Sequence, residues 1–315
     1  MNLQDKEYYG QGIKMKKIFI LCLISTLFIT SCSTVQQLVT TTMNIALSNG
    51  EMDPKTADFI VSTTQSVYKA TEQISPENEY YIGRATAAII LNDYDLYSEP
   101  KLTKYLNKIC GAITINSEKP DLYNGYYVAV LDSDEINAMA TPGGHILITR
   151  GLLKCTSNEE ELASVIAHEI AHIQKQHSIS AIKTSRFKDL SLDIASFAIE
   201  ESDSDEAKFF LSAFGDSVED VVSSLVLNGF SQEQEFEADA YALELLNNAG
   251  YNPHSIVNML KTLEQNQANH RKGFVKTHPE PKKRIKKIEK ELKNYSKSKT
   301  QEERISRFQT YAELF

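Results

Sequence analysis

Cysteine is scarce: the 315 residues contain four, at positions 22, 32, 110 and 155, and no two form a Cys-x-x-Cys pair. That spacing excludes a dithiol redox motif. Positive charge is the minority sign, with 33 Lys and Arg against 42 Asp and Glu and a formal net charge of −9. A phosphate-backbone ligand calls for a broad basic face, so the expectation is no nucleic acid among the partners. No apolar run approaches the roughly 18 residues that a bilayer-spanning helix needs. A P-loop is missing, and Gly229-Phe230-Ser231 lacks the second glycine of a nucleophile elbow because Glu233 stands there. Internal repeats and low-complexity domains are also absent from the pattern.

What is present begins with composition: 42% apolar and 24% charged residues suit a globular chain with one sizeable core and extensions. Lys14, Lys16 and Lys17 precede the apolar run "IFILCLISTLFI", residues 18 to 29, which is the core of a signal peptide. It leads at once into "ITSC", residues 29 to 32, which is similar to the lipobox of bacterial lipoproteins. That similarity implies that residues 1–31 are removed and that Cys32 is lipidated, tethering the protein to a membrane. Ser33, rather than Asp, follows the anchor and suits sorting to the outer membrane. Residues 32–75 read as a tether and a first helix. Cys110 and Cys155 remain as one disulfide or as buried thiols, and the pattern alone leaves both open.

Helical apolar spacing covers residues 75 to 94, with Pro76 near the start, and residues 101 to 114. Strands are expected at 126 to 132 and 144 to 149, which are rich in β-branched and aromatic residues. "NAMATPGG", residues 137 to 144, reads as a turn-rich link that keeps the second strand near an edge, free to pair with an extended peptide. From there the pattern is helical. Ser157 and Glu160 suggest a capping box for one helix, and Ser231 with Gln234 suggests another, running to Gly250. A further helical stretch is expected over 205–227, behind the acidic run "EESDSDE". The basic segment 282–299 carries Ile285, Ile288 and Leu292 at helical spacing and reads as a core helix with a solvated face. The fold class is therefore α+β, mostly helical, with a small sheet.

The chemistry concentrates in "SVIAHEIAHIQKQH", residues 164 to 177. Residues advance about 100° each on a helix, so His168 and His172 lie about 40° apart and present their rings to one point. Glu169 stands beside them, within reach of a water on a metal held there. A catalytic zinc takes a third protein ligand and keeps one open position. His177 is a poor third ligand, because a continuing helix carries it about 140° from His172; it reads as a helix-end histidine. A metzincin spacing fails, since Lys175 and Ser178 occupy the positions it requires. "EFEAD", residues 235 to 239, places Glu235 and Asp239 on one helical face, where Glu235 suits a metal and Asp239 the free ring N–H of a ligating histidine. The same acidic stretch equally describes a solvated surface.

Four segments, "NAMATPGGHILITRGLL", "ELASVIAHEIAHIQKQH", "QEFEADAYALELLNNAGYNP" and "THPEPKKRI", occur in an order and spacing that resembles the gluzincin zinc metalloendopeptidases. This is the family of HtpX and the CAAX prenyl endopeptidases, and within it the chain is similar to the periplasmic BepA-like and LoiP-like lipoprotein peptidases. The resemblance covers roughly residues 76 to 290. It implies a zincin-type metallopeptidase domain over 76–294, with its small sheet beside the HExxH helix and a C-terminal tail at 295–315. It further implies one Zn2+ per chain held by His168, His172 and Glu235, with Glu169 as the general base and Asp239 orienting a ligand. His278 matches a histidine that can take the open zinc position and hold the enzyme latent, and Arg284 an arginine that stabilises the oxyanion. The implied substrates are unfolded or misfolded envelope proteins, the implied location is the periplasmic side of the bacterial cell envelope, and outer-membrane assembly machinery is an implied partner.

Overall fold

Prolines open two helices that follow residue 75, at positions where the missing N–H is not needed. Helix α1 (Pro76–Asp93) is capped by Ser75, whose side chain accepts from the Asn78 amide, and α2 (Pro100–Thr114) by the Glu99 side chain, which accepts from Lys101. On α2, Leu102, Tyr105, Leu106, Ile109, Cys110 and Ile113 follow helical spacing and are all buried. The computed structural model describes scattered positions between 41 and 61 and residues 74–180, 229–267, 277–278, 280–297 and 302–315. The chain divides into two units, and residues 74–181 with 217–315 form the one that carries every element named here. The signal segment, Cys32, Ser33, most of the tether, and the helix expected over 205–227 lie outside the described residues.

Three strands form a mixed sheet: β1 (Tyr127–Leu131), β2 (Ala138–Thr141) and β3 (His145–Thr149), in the order β1-β3-β2. Strand β3 runs parallel to β1, with Tyr127 opposite His145, and antiparallel to β2, with Ala138 opposite Ile148. The expectation that 144–149 lies at an edge is therefore corrected: β3 is the central strand and β2 the edge. Ala138 and Ala140 are poor strand formers, and pairing with β3 rather than propensity makes this segment a strand. The turn is compressed into the 3-10 segment Pro142–Gly144, where Gly143 takes φ 71. A Cβ on Gly143 would stand 2.4 Å from the Tyr80 Cα, so only glycine lets α1 approach there. The outer edge of β1 is covered: the Asn107 side chain bonds both the N–H and the C=O of Val128, at 2.9 and 2.8 Å, and the Tyr97 amide donates to Val130 at 2.8 Å.

After the short α3 (Arg150–Cys155), helix α4 (Glu159–Gln174) is buried at every residue, its acidic first turn and its histidines included. Its cap lies one residue later than Ser157 and Glu160 suggest. Asn158 accepts from the Glu161 amide, and Glu161 reaches back to the Ser157 amide at 2.9 Å. Glu160 is engaged elsewhere, accepting from the Asn252 amide at 2.7 Å and from Arg304 at 3.0 Å. Glu159 accepts from Tyr105 and Tyr251 and pairs with Arg307. The acids suit the positive end of the α4 dipole. Arg304 and Arg307 belong to α8 (Glu302–Ala312), whose Phe308 is buried and whose neighbouring Tyr311 stacks on Tyr105 with centroids 4.2 Å apart. The residues after 295 thus contribute a helix to the core unit.

Helix α5 (Gln232–Asn248) starts with the expected capping box of Ser231 and Gln234. It stops at Gly250, φ 74, where the Tyr251 amide donates to Leu246 at 2.8 Å, a Schellman closure. Helix α6 (Ser255–Gln267) follows the Asn252-Pro253 turn, and α7 (Pro281–Glu291) buries Pro281, Arg284 and Ile288 while its lysines stay exposed. Cys110 and Cys155 are free thiols. Among the described residues no helix is long and apolar enough to cross a membrane.

Candidate metal centre

Helix α4 supplies His168, Glu169 and His172; α5, packed along it, supplies Glu235 and Asp239; the segment 277–278 supplies His278; and α7 supplies Arg284. None of the seven is more than 3% exposed. The ligand atoms of His168, His172, Glu235 and His278 all lie within 4.8 Å of one another. His168 Nε2 is 3.1 Å from His172 Nε2 and 3.3 Å from His278 Nδ1. Glu235 Oε1 is 3.3 Å from His172 Nε2 and 2.9 Å from His278 Nδ1. Donors about 2.0–2.1 Å from a tetrahedral centre stand about 3.3 Å apart, so this set fits a metal of zinc's size.

Charge argues the same way. Glu169, Glu235 and Asp239 are three buried carboxylates, and among the described residues Arg284 is the one guanidinium beside them. Buried charge needs a counter-charge, and a divalent cation supplies the deficit. The two Glu169 oxygens are buried with no hydrogen-bond partner, and His278 Nε2 lies 3.6 Å from Oε1. Burial raises the Glu169 carboxyl above its ordinary value, against the pull of His278 and His168. Burial also opposes the Glu235 carboxylate, but His278 and Arg284 outweigh it and hold that group well below the usual range. His172 is driven well below 6.5 by burial, which leaves it neutral with a lone pair available. Burial and Arg284 oppose the charged form of His168, yet Asp239 and Glu235 prevail and raise it to about 9. A metal there competes with that proton, so its affinity falls in acid.

Asp239 holds two partners. Its Oδ1 lies 3.2 Å from His168 Nδ1, and its carboxylate accepts a two-pronged bond from Arg284, at 2.8 Å from Nε and 2.7 Å from NH2. Arg284 NH1 also pairs with Glu235 Oε2 at 2.8 Å. The guanidinium is thus directed at carboxylates, and Asp239 and Glu235 stand together on α5 as their spacing requires.

His177 departs from the sequence reading. It is 3% exposed, and its Nδ1 lies 2.9 Å from His172 Nδ1. The helix does not continue to it: α4 ends at Gln174, and Gln176 takes φ 56, turning the chain back toward the site. No glycine marks that turn, and a glutamine in the left-handed region is uncommon, so nothing in the sequence announces it. Phe230 was also not foreseen; its ring stacks on His172 with centroids 3.8 Å apart.

The site borders the outer edge of β2, where the Ser178 hydroxyl donates to the Ala140 carbonyl at 3.5 Å. Thr277 donates through Oγ1 to Asn137 Oδ1 at 3.1 Å, and His278 Nε2 lies 3.4 Å from the Ala138 carbonyl. Between this segment, Phe230, β2 and Thr86 and Ile90 of α1 remains a cavity of only ≈ 20 Å³, too small for a peptide.

Residues 98–292 match the model of Peptidase family M48. The chain is 24% identical over 246 residues to the "Beta-barrel assembly-enhancing protease" of Escherichia coli (strain K12), covering 78% of this chain and 50% of that protein. It is 30% identical over 189 residues to the "Mitochondrial metalloendopeptidase OMA1" of Schizosaccharomyces pombe, covering 59% and 52%. To the "Metalloprotease YcaL" of Escherichia coli (strain K12) it is 23% identical over 223 residues, covering 70% and 82%. The chain spans about half the length of the first of these relatives. With a family match over more than half its residues, an HExxH helix at its centre and a small mixed sheet beside that helix, the chain belongs to peptidase family M48.

Proposed function

We propose that this chain is a zinc-dependent metalloendopeptidase of the bacterial cell envelope, anchored through a lipid on Cys32, that hydrolyses unfolded or misassembled envelope proteins. The observation that carries the reading is the convergence of His168, His172 and Glu235 beside a buried Glu169 carboxylate whose oxygens have no hydrogen-bond partner. His168, His172 and Glu235 would hold the zinc, which when bound would supply a Lewis acid and lower the pKa of water to about 7. Glu169 accepts the proton of the attacking water and passes it to the leaving amine. Burial raises its carboxyl above the ordinary value, which favours the protonated form it must hold between the two transfers. Asp239 fixes the tautomer of His168 through Nδ1. Arg284 keeps Glu235 and Asp239 charged and in place, and supplies the positive charge that would stabilise an oxyanion formed beside the metal. An extended substrate would pair with the outer edge of β2 by main-chain hydrogen bonds in place of His278 and Ser178, which now meet the Ala138 and Ala140 carbonyls, and such pairing favours unfolded chains over a strict motif.

A second reading has its own support, because His278 stands with the three ligands as a fourth, and a catalytic zinc needs an open position. In that reading the peptidase is latent until His278 and Thr277 leave the β2 edge, and the chain acts mainly as an assembly factor for outer-membrane proteins. The name of the "Beta-barrel assembly-enhancing protease" among its relatives is in keeping with this.

Cleavage of casein by the purified protein carrying one equivalent of zinc separates these readings. The peptidase reading expects cleavage by the wild type and none by Glu169→Gln. Latency expects little cleavage by the wild type and faster cleavage by His278→Ala. If all three hold one zinc per chain and none cleaves, the peptidase reading is wrong.

A further inference from the structure

We propose that His177 is a positioning residue of the metal centre: it accepts the Nδ1 proton of His172 and so presents the His172 Nε2 lone pair to the metal. The inference rests on the reading of His172 as a zinc ligand. Two imidazole nitrogens 2.9 Å apart share one proton, one donating and the other accepting. His172 Nε2 is the atom that faces His168 and Glu235, at 3.1 and 3.3 Å. A neutral ring that offers Nε2 to a metal carries its proton on Nδ1. His172 therefore donates and His177 Nδ1 accepts. The proton of His177 then sits on Nε2, 3.3 Å from Glu237 Oε2, so a directed chain runs from the metal site to Glu237 at the surface.

The surroundings hold this chain in one arrangement. Gln176 in the left-handed region folds His177 back over α4, and the Gln234 side-chain amide of α5 donates to the His177 carbonyl at 3.3 Å. The Phe230 ring stacks on His172 and also contacts His177, at centroid distances of 3.8 and 5.9 Å, which removes other orientations. The two metal-side histidines are thereby supported by different chemistry. His168 rests on the Asp239 carboxylate, whereas His172 rests on a neutral ring. A neutral acceptor orients His172 without adding a further buried negative charge to a site that already holds three carboxylates.

The test is zinc affinity of the full-length protein, read by competition with a chromophoric chelator, with His172→Ala as the control. His177→Ala is expected to weaken zinc binding about 10- to 100-fold, the usual cost of losing a ligand's hydrogen-bond partner. His177→Asn, whose carbonyl can accept in place of Nδ1, is expected to recover most of that loss; a role in packing alone predicts no such recovery. Affinity of His177→Ala within about twofold of wild type, or Asn no better than Ala, would overturn the proposal. If His177→Ala does not fold, Glu237 decides: Glu237→Ala binding more weakly than Glu237→Gln supports the chain, and both matching wild type overturns it. Zinc binding that is absent in the wild type, or unaffected by His172→Ala, instead removes the ligand assignment on which the inference stands.

Discussion

Replacing Arg284 by alanine removes the guanidinium that faces the two buried carboxylates of α5, Glu235 and Asp239. In the wild type, Asp239 accepts from its Nε and NH2 at 2.8 and 2.7 Å, and Glu235 pairs with its NH1 at 2.8 Å. Asp239 and Glu235 are 1% and 0% exposed, so water cannot take over the lost contacts. Exposed ion pairs contribute about 0–1 kcal/mol, but removing one member of a buried pair costs about 3–5 kcal/mol, mostly through the charge left behind. In zinc-free buffer, urea denaturation should therefore show Arg284→Ala less stable than wild type by about 3–5 kcal/mol. Adding Asp239→Asn to that variant should restore part of the loss, because it deletes a stranded charge, although Asp239→Asn alone is destabilising. The resulting non-additivity is expected at about 0.5–3 kcal/mol. Zinc should also narrow the gap, since it places positive charge next to Glu235. The reasoning fails if Arg284→Ala lies within about 0.5 kcal/mol of wild type without zinc, or if the two substitutions simply add.

Glu169→Gln should change how stability depends on pH. Burial raises the Glu169 carboxyl above 4.5, so the native state holds that proton more tightly than the unfolded chain does. Zinc-free wild type then loses stability as pH rises from the unfolded value toward the raised native one, and Glu169→Gln lacks this component. Urea midpoints at several pH values should converge in acid and separate above it, and a constant offset would refute the assignment. Gly229→Ala should disturb the segment over the site, because its Cβ would lie 2.1 Å from the Thr277 carbonyl at a φ of 70. A loss of about 1–3 kcal/mol is expected, with faster casein cleavage if His278 holds the site shut; an unchanged melting temperature would contradict the packing described. Burial pushes the Cys110 thiol up to about 12 and raises the half-buried Cys155 too. Alkylation at pH 8 followed by peptide mass mapping should label Cys155 first and Cys110 only on unfolding, and equal labelling would count against this core.

Where chemistry and local geometry coincide, the sequence was enough. His168 and His172 four apart on an apolar helix, and Glu235 and Asp239 four apart on a capped one, must share a face whatever the rest of the chain does, because helical pitch alone decides it. Ser231 with Gln234 and Gly250 likewise marked the ends of α5 through local hydrogen bonds and backbone freedom. Other features have no local cause. Ala138–Thr141 is an edge strand only because β3 lies beside it, and His145–Thr149 is central only because β1 pairs on its far side. His177 reaches His172 because Gln176 takes a left-handed turn that its residue type does not favour. Arg284, one cation among many in a basic segment, became the partner of Asp239 and Glu235 because packing of α7 against α5 buried it, and a buried charge must be paired. The sequence by itself determined which residues can ligate, take a proton and carry charge; the tertiary structure decided which of them meet, because pairing across distant segments and desolvation are properties of the packed chain.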